Sequence, residues 1–266
     1  MTDRKNPIEK RFEQLEGFWN EFAENPNGRV LRWLADKETV GMVDAFVTLQ
    51  NDEQAGTVPD LFVEFKVPFS SEADYCQVLA DSLAQQFADD REAISEDGMN
   101  VDWQAPASVK NHNDLIACFH SFQQHYQSIM PHFVAVLVPE EAPGGSKAWT
   151  RWLGKLLDTD IPPQCRFMML DDLDNPILDA LAGQHPESLV TVDPELDMPG
   201  AYQELADEAE GSGPGHDFRK LYVGLTNAAG SGDLQQAKTL GARAVDLATQ
   251  QQWHHLAAVA QMALGA

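Results

Sequence analysis

Between Pro131 and Pro139 the chain reads His132-Phe133-Val134-Ala135-Val136-Leu137-Val138, apolar at every position after the first. An unbroken apolar run of this length, bounded by proline, predicts a strand buried on both faces. Such strands belong to parallel sheets covered by helices on either side. Other strands fit the same sheet. Leu61-Phe62-Val63-Glu64-Phe65-Lys66-Val67 alternates apolar and charged residues between Pro59-Asp60 and Pro68. Arg166 to Leu170 contains the run Phe167-Met168-Met169-Leu170, and Ser188-Leu189-Val190-Thr191-Val192 is β-branched and follows a proline.

Helical patterns separate these runs. One is expected from about Ser71 to Asp89, with Tyr75, Val78, Leu79, Leu83 and Phe87 inward and Ser70 or Ser71 as its cap. Another spans Leu115 to Met130, carrying Ile116, Phe119, Phe122, Tyr126 and Ile129. Short helices are expected around Trp149, Trp152, Leu153 and Leu156-Leu157, and from Asn175-Pro176 to Leu181. The polar stretch from Asp90 to Asn113, anchored by Trp103, is expected to be a surface loop. The fold class is therefore α/β, a mostly parallel sheet flanked by helices.

Two helical regions bracket this core. Phe12, Leu15, Phe18, Trp19 and Phe22 recur every three or four residues until Asn25-Pro26-Asn27-Gly28. Val30, Leu31, Trp33 and Leu34 are expected to begin a second helix, and Met42, Val43, Phe46, Val47 and Leu49 a third. After Asp217 the composition turns to alanine, leucine and glutamine. Phe218, Leu221, Tyr222 and Leu225 mark one helix, Leu234 to Ala248 a second and Trp253 to Leu264 a third. Small residues at Ala237, Gly241, Ala244 and Ala248 would allow close helix packing. The expected domains are a helical N-terminal segment over 1–56, an α/β core over 57–200, an acidic Gly/Pro linker over 201–217 and a small all-α domain over 218–266.

Charge narrows the function. With 42 Asp and Glu against 18 Lys and Arg, the formal net charge is -24. Such a surface repels phosphate backbones and anionic lipid, so neither a nucleic-acid nor a membrane partner is expected. Cys76, Cys118 and Cys165 are far apart and lie among apolar residues, which suits reduced core thiols. The N-terminus lacks the apolar core of a signal peptide, and no apolar run is long enough to cross a bilayer. A soluble cytoplasmic protein is expected.

Candidate chemistry centres on Asp171-Asp172, which end the apolar run at Leu170. A carboxylate at the end of a central strand can hold magnesium or act as a base. No Gly-x-x-x-x-Gly-Lys-[Ser/Thr] accompanies it, so the competing reading is a turn or helix-cap acid. His112, His120, His125 and His132 do not stack on one helical face, and His254-His255 point to different sides. Gly211-Ser212-Gly213 and Gly230-Ser231-Gly232 lack the preceding strand of a nucleophile elbow. Pro143-Gly144-Gly145-Ser146-Lys147 comes closest to an anion-binding loop, beside Glu140 and Glu141. From Asp171 to Asp217 there are thirteen acids and no Lys or Arg. The stretch can be a solvated linker, a docking patch for a basic partner or a metal site.

Gly-Asp-Leu-x-x-Ala at Gly232 and Ala-x-x-Leu-Ala at Ala244 resemble a tetratricopeptide-type helical hairpin. Strands near Phe62, Val134 and Phe167 with Asp171-Asp172 resemble a P-loop-less NTPase-like α/β module. Trp19, Arg32-Trp33-Leu34, Trp149-x-x-Trp152 and the alanine-rich end look like bacterial accessory proteins that load type VI secretion effectors. The expected function is a non-enzymatic adaptor or chaperone that engages a protein partner through its helical end and acidic segment, with no cofactor, catalytic residue or metal, and the resemblance implies that the partner is a basic surface on a secreted effector. The expected partner-binding residues are Glu204, Asp207, Glu208, Glu210, Tyr222 and Trp253. The alternative is a divergent nucleotide- or metal-dependent enzyme using Asp171 and Asp172.

Overall fold

Five parallel strands form one sheet in the order β2-β3-β4-β1-β5. A computed structural model describes residues 6–52, 54–71, 74–139, 146–198, 200–201, 204–205, 213–230 and 233–265. The strands are β1 (Val30–Ala35), β2 (Leu61–Phe65), β3 (Phe133–Leu137), β4 (Cys165–Asp172) and β5 (Leu189–Val192). The helices are α1 (Pro7–Glu24), α2 (Lys37–Gln50), α3 (Tyr75–Glu96), α4 (His112–His125), α5 (Ser146–Leu157), α6 (Asp179–Gln184), α7 (Pro214–Gly230), α8 (Leu234–Gln250) and α9 (His254–Gly265).

The chain divides into two compact units. One comprises Glu21–Leu34 and Pro59–Asp193, and the other Met1–Asn20, Ala35–Val58 and Pro194–Ala266. The sheet dominates the first. All five residues of β3 are buried, as its double-sided apolar run requires. Along one face Val63, Phe65, Phe133, Ala135, Leu137, Cys165, Phe167 and Met169 join Leu79, Leu83, Phe119, Phe122, Trp152 and Leu156 in a single core. Helix α5 is anchored there by aromatic packing. Trp149 stacks on Trp152 with centroids 5.3 Å apart, and Tyr75 meets the Trp152 ring edge-on at 5.0 Å. The opposite face carries Leu31, Trp33, Phe62, Val134, Val136 and Met168, which are also buried.

The second unit is helical. Asn6 caps α1, accepting from the Ile8 and Glu9 amides, while Glu9 accepts from the Asn6 amide at 2.7 Å, and Pro7 occupies the first helical position. Asp36 caps α2 through the Thr39 amide, which holds its carboxyl below the usual range. Helices α7, α8 and α9 pack in series, and α9 also packs on α2. Ala237, Gly241, Ala244 and Ala248 are buried along α8. A Cβ on Gly241 would lie 2.3 Å from Leu264 Cγ, so only glycine allows α9 this close.

Several expectations need correction. Val30 to Leu34 is not a second helix but the strand β1, which lies between β4 and β5. Six residues bracketed by the Asn25-Pro26-Asn27-Gly28 turn and the Asp36 cap are too few for a helix and suffice for a central strand. Helix α3 extends beyond Asp89 to Glu96, because its last turns are solvent-exposed and polarity does not break an exposed helix. It ends near Gly98, whose φ is 76°. Helix α6 starts at Asp179, later than Asn175-Pro176 suggests. Among the described residues no helix is long and apolar enough to cross a membrane.

Candidate functional site

Strand β1 leads to β2 at one edge, while the connection from β4 passes β1 to reach β5 at the other. Adjacent strands β4 and β1 thus send their chains in opposite directions, which is where open α/β sheets hold ligands. Asp171 is the penultimate residue of β4 and lies at this point. Its side chain is 3% exposed and faces Arg32 of β1, 2% exposed, with Oδ2 accepting from Nε at 2.9 Å and lying 2.7 Å from Nη2.

The remaining lone pairs of Asp171 are also engaged. Oδ2 accepts from the Leu178 amide at 3.1 Å, and Oδ1 accepts from the Ile177 and Asp172 amides at 3.1 Å each. A carboxylate offers about four acceptor positions, so Asp171 has none left for a metal or a reacting proton. Asp172 is exposed, and its Oδ1 accepts from the Asp174 and Asn175 amides at 2.9 and 3.3 Å in a side-chain-closed turn. Together the two acids hold the amides of residues 174, 175, 177 and 178, which fixes this segment as a loop and delays α6. Arg32 also pairs with Asp179 at 2.6 Å, on a side chain that is 67% exposed. Asp171 with Arg32 builds a buried polar lock at the ligand position of the fold, and the exposed Asp172 closes the turn beside it.

Two grooves carry more open chemistry. The first, ≈ 720 Å³, lies wholly within the helical unit. Glu9, Glu13 and Glu16 of α1 line it at helical spacing, beside Phe12, Gln50, Trp253, His254 and His255. His255 Nε2 lies 3.0 Å from Glu9 Oε1, and its ring is 5.8 Å from that of Phe12. Trp253 meets the Phe218 ring edge-on at 6.4 Å. The rim is shaped by Gln252, which adopts φ 59° in the turn between α8 and α9, while the Trp253 amide donates to Ala248 O at 2.8 Å.

The second groove, ≈ 570 Å³, lies within the sheet unit between α5 and α6. Lys147, Arg151 and Lys155 form its wall, and Ile177, Ala180 and Leu181 lie across from them. Helix α5 owes this to its amphipathic sequence, with Trp149, Trp152, Leu153 and Leu156 buried inward and the cations exposed.

Of the partner-binding residues expected from sequence, Trp253 lines the acidic groove. Tyr222 is part-buried, stacking on Phe218 at 6.0 Å and packing against Leu225, Ala228 and Ala237. Glu204 is paired with Arg11 at 3.2 Å, and Arg11 also donates to Leu196 O. Asp207, Glu208 and Glu210 lie outside the described residues, as do residues 140–145 of the Gly-Gly-Ser turn, Gly211-Ser212 and Ser231-Gly232. The acids of α1 and the cations of α5 were missed by sequence reasoning. Their signal was charge at spacings of three and four on helices read only for their apolar faces.

Other charged and nucleophilic groups are buried structurally. Asp60 accepts from His132 Nδ1 at 2.8 Å and from the His132 amide. Arg166 donates to Ala23 O and Asn25 O with its guanidinium 5.4 Å from the Phe22 ring centroid, and burial with nearby Arg29 brings its pKa down to about 10. The three cysteines are buried and free, and burial pushes the Cys118 and Cys165 thiols up to about 11 and about 12. Among the described residues no group of three or more His, Cys, Asp or Glu is placed to hold a metal ion.

No family model matches the chain, and no curated protein matches it. The fold and its two grooves define it as an all-parallel α/β protein with a helical unit and oppositely charged surface clefts.

Proposed function

We propose that the protein is a non-enzymatic adaptor or chaperone that binds a basic segment of a protein partner in the groove of its helical unit. The observation that supports this is the alignment of Glu9, Glu13 and Glu16 along one wall, with Phe12 and Trp253 beside them. Carboxylates spaced by a helical turn suit successive Lys or Arg side chains, and an aromatic ring adds a cation–π contact. In its specific form the partner is a secreted effector that the protein helps to load, as the sequence resemblance implies.

Co-purification of the tagged full chain from its native host tests the reading. A stoichiometric partner should be recovered, its capture should weaken as salt rises, and Glu13→Lys with Glu16→Lys should abolish it. Undiminished capture by that variant, or no stoichiometric partner, would refute the proposal.

A further inference from the structure

We propose that the α5–α6 groove is a second docking site, built for an acidic amphipathic helical segment of a partner protein. Charge is the first argument. The chain carries 42 acids against 18 Lys and Arg, yet the charged lining here is Lys147, Arg151, Lys155 and one acid, Asp158.

Spacing is the second. Three cations four residues apart on one helix extend over about 12 Å, too far for a single phosphate and matched by carboxylates on successive turns of another helix. The third is the apolar side. Ile177, just ahead of α6, is 39% exposed, Ala180 is exposed beside it, and Leu181 lies buried beneath them, so the apolar seat for the same segment is Ile177 with Ala180. Gly154 lets α5 approach Leu181 closely at the base of the groove, since a Cβ there would lie 3.3 Å from Leu181 Cδ1.

The site is independent of the acidic groove, and so is its test. The full chain is titrated against a fluorescent synthetic peptide with leucines on one helical face and glutamates on the other, at about 0.15 M salt. Saturable binding is expected, at least about tenfold tighter than for a scrambled peptide of the same composition. Lys147→Glu with Lys155→Glu should weaken it about tenfold or more, and Ile177→Ser should weaken it less. In the Glu13→Lys, Glu16→Lys background, which removes the acidic groove, a peptide with lysines in place of the glutamates should bind the charge-reversed variant better than the background chain does, and better than its own scrambled sequence binds. Glu13→Lys with Glu16→Lys should leave this binding unchanged. Equal binding of the scrambled peptide, displacement by inorganic phosphate, or charge reversal that only abolishes self-association of the chain would overturn the proposal.

Discussion

Replacing Asp171 with Asn should destabilise the sheet unit by about 3–5 kcal/mol, the usual range when one partner of a buried ion pair is removed. The geometry shows why a near-isosteric change is so disruptive. Arg32 Nε and Nη2 and the Leu178 amide converge on Oδ2, while the Ile177 and Asp172 amides converge on Oδ1. Asparagine has one acceptor oxygen, and whichever way its amide is turned, two or three buried donors face an NH2 group. Each orphaned donor costs about 1–3 kcal/mol, in part relieved by local opening. Urea titration should show the loss, and hydrogen exchange should localise it at the Ile177 and Leu178 amides. Adding Arg32→Met to Asp171→Asn should recover only the part owed to the unpaired guanidinium, because the Ile177, Leu178 and Asp172 amides still share one acceptor oxygen. Asp179→Asn should cost less than about 1 kcal/mol, because that partner is mostly exposed. A loss below about 1 kcal/mol for Asp171→Asn, with both amides still protected, would refute the lock. Magnesium-ATP binding that a folded Asp171→Asn variant abolishes would restore the enzymatic alternative.

Gly241→Ala should destabilise the α8–α9 pairing by about 1–3 kcal/mol, since its Cβ would sit 2.3 Å from Leu264 Cγ. Thermal unfolding checks this, and Leu264→Ala in the same chain should relieve the clash. Gln252→Gly should raise stability by about 0.5–1 kcal/mol, because φ 59° is strained for any side chain but free for glycine. An unchanged or lower midpoint would show that the Gln252 side chain contributes more than its backbone strain. Cys118 and Cys165 should resist alkylation at pH 8 until the chain unfolds. Their folded pKa values lie above the ordinary 9.0, at about 11 and about 12, so the stability they confer is complete below pH 9 and declines as pH rises toward 12. Urea midpoints measured across that range should fall for the parent and fall less for a Cys165→Ala variant.

The sheet was legible where a strand had to be apolar on both faces. Phe133 to Leu137 and Phe167 to Leu170 admit little else, and the core positions on α3 and α4 follow from helical spacing, except that Ile129, expected inward, lies past the end of α4 and is 55% exposed. Strand β1 was hidden because Val30-Leu31-Arg32-Trp33-Leu34 is apolar without period two and lies between two true helices. The charge inside that run was the missing signal. Arg32 in an otherwise buried strand requires a buried acid, and Asp171 is that acid. Read alone, Asp171 suggested metal chemistry. Read with Arg32, it is half of an ion pair, and no local pattern links residues so far apart in sequence. The grooves were harder still, since charges on the outer face of a helix look alike whether they border solvent or a cleft.

The two clefts should also respond to salt in opposite ways. A net charge of -24 attracts a basic segment from a distance and repels an acidic one. At low ionic strength the long-range field therefore adds to the attraction of Glu9, Glu13 and Glu16 and opposes that of Lys147, Arg151 and Lys155. Near 0.1 M salt the screening length is about 10 Å, which removes the distant charges but leaves contacts within the groove. Affinity for a basic peptide should then fall steadily as salt is raised. Affinity for the acidic peptide should first rise, as the repulsion of the rest of the molecule is screened, and decline only when the contacts themselves weaken. Titrations of both peptides from about 0.01 M to about 0.5 M salt separate these curves. A steady fall for both would mean that the cations of α5 do not act as a local site against the field of the whole chain.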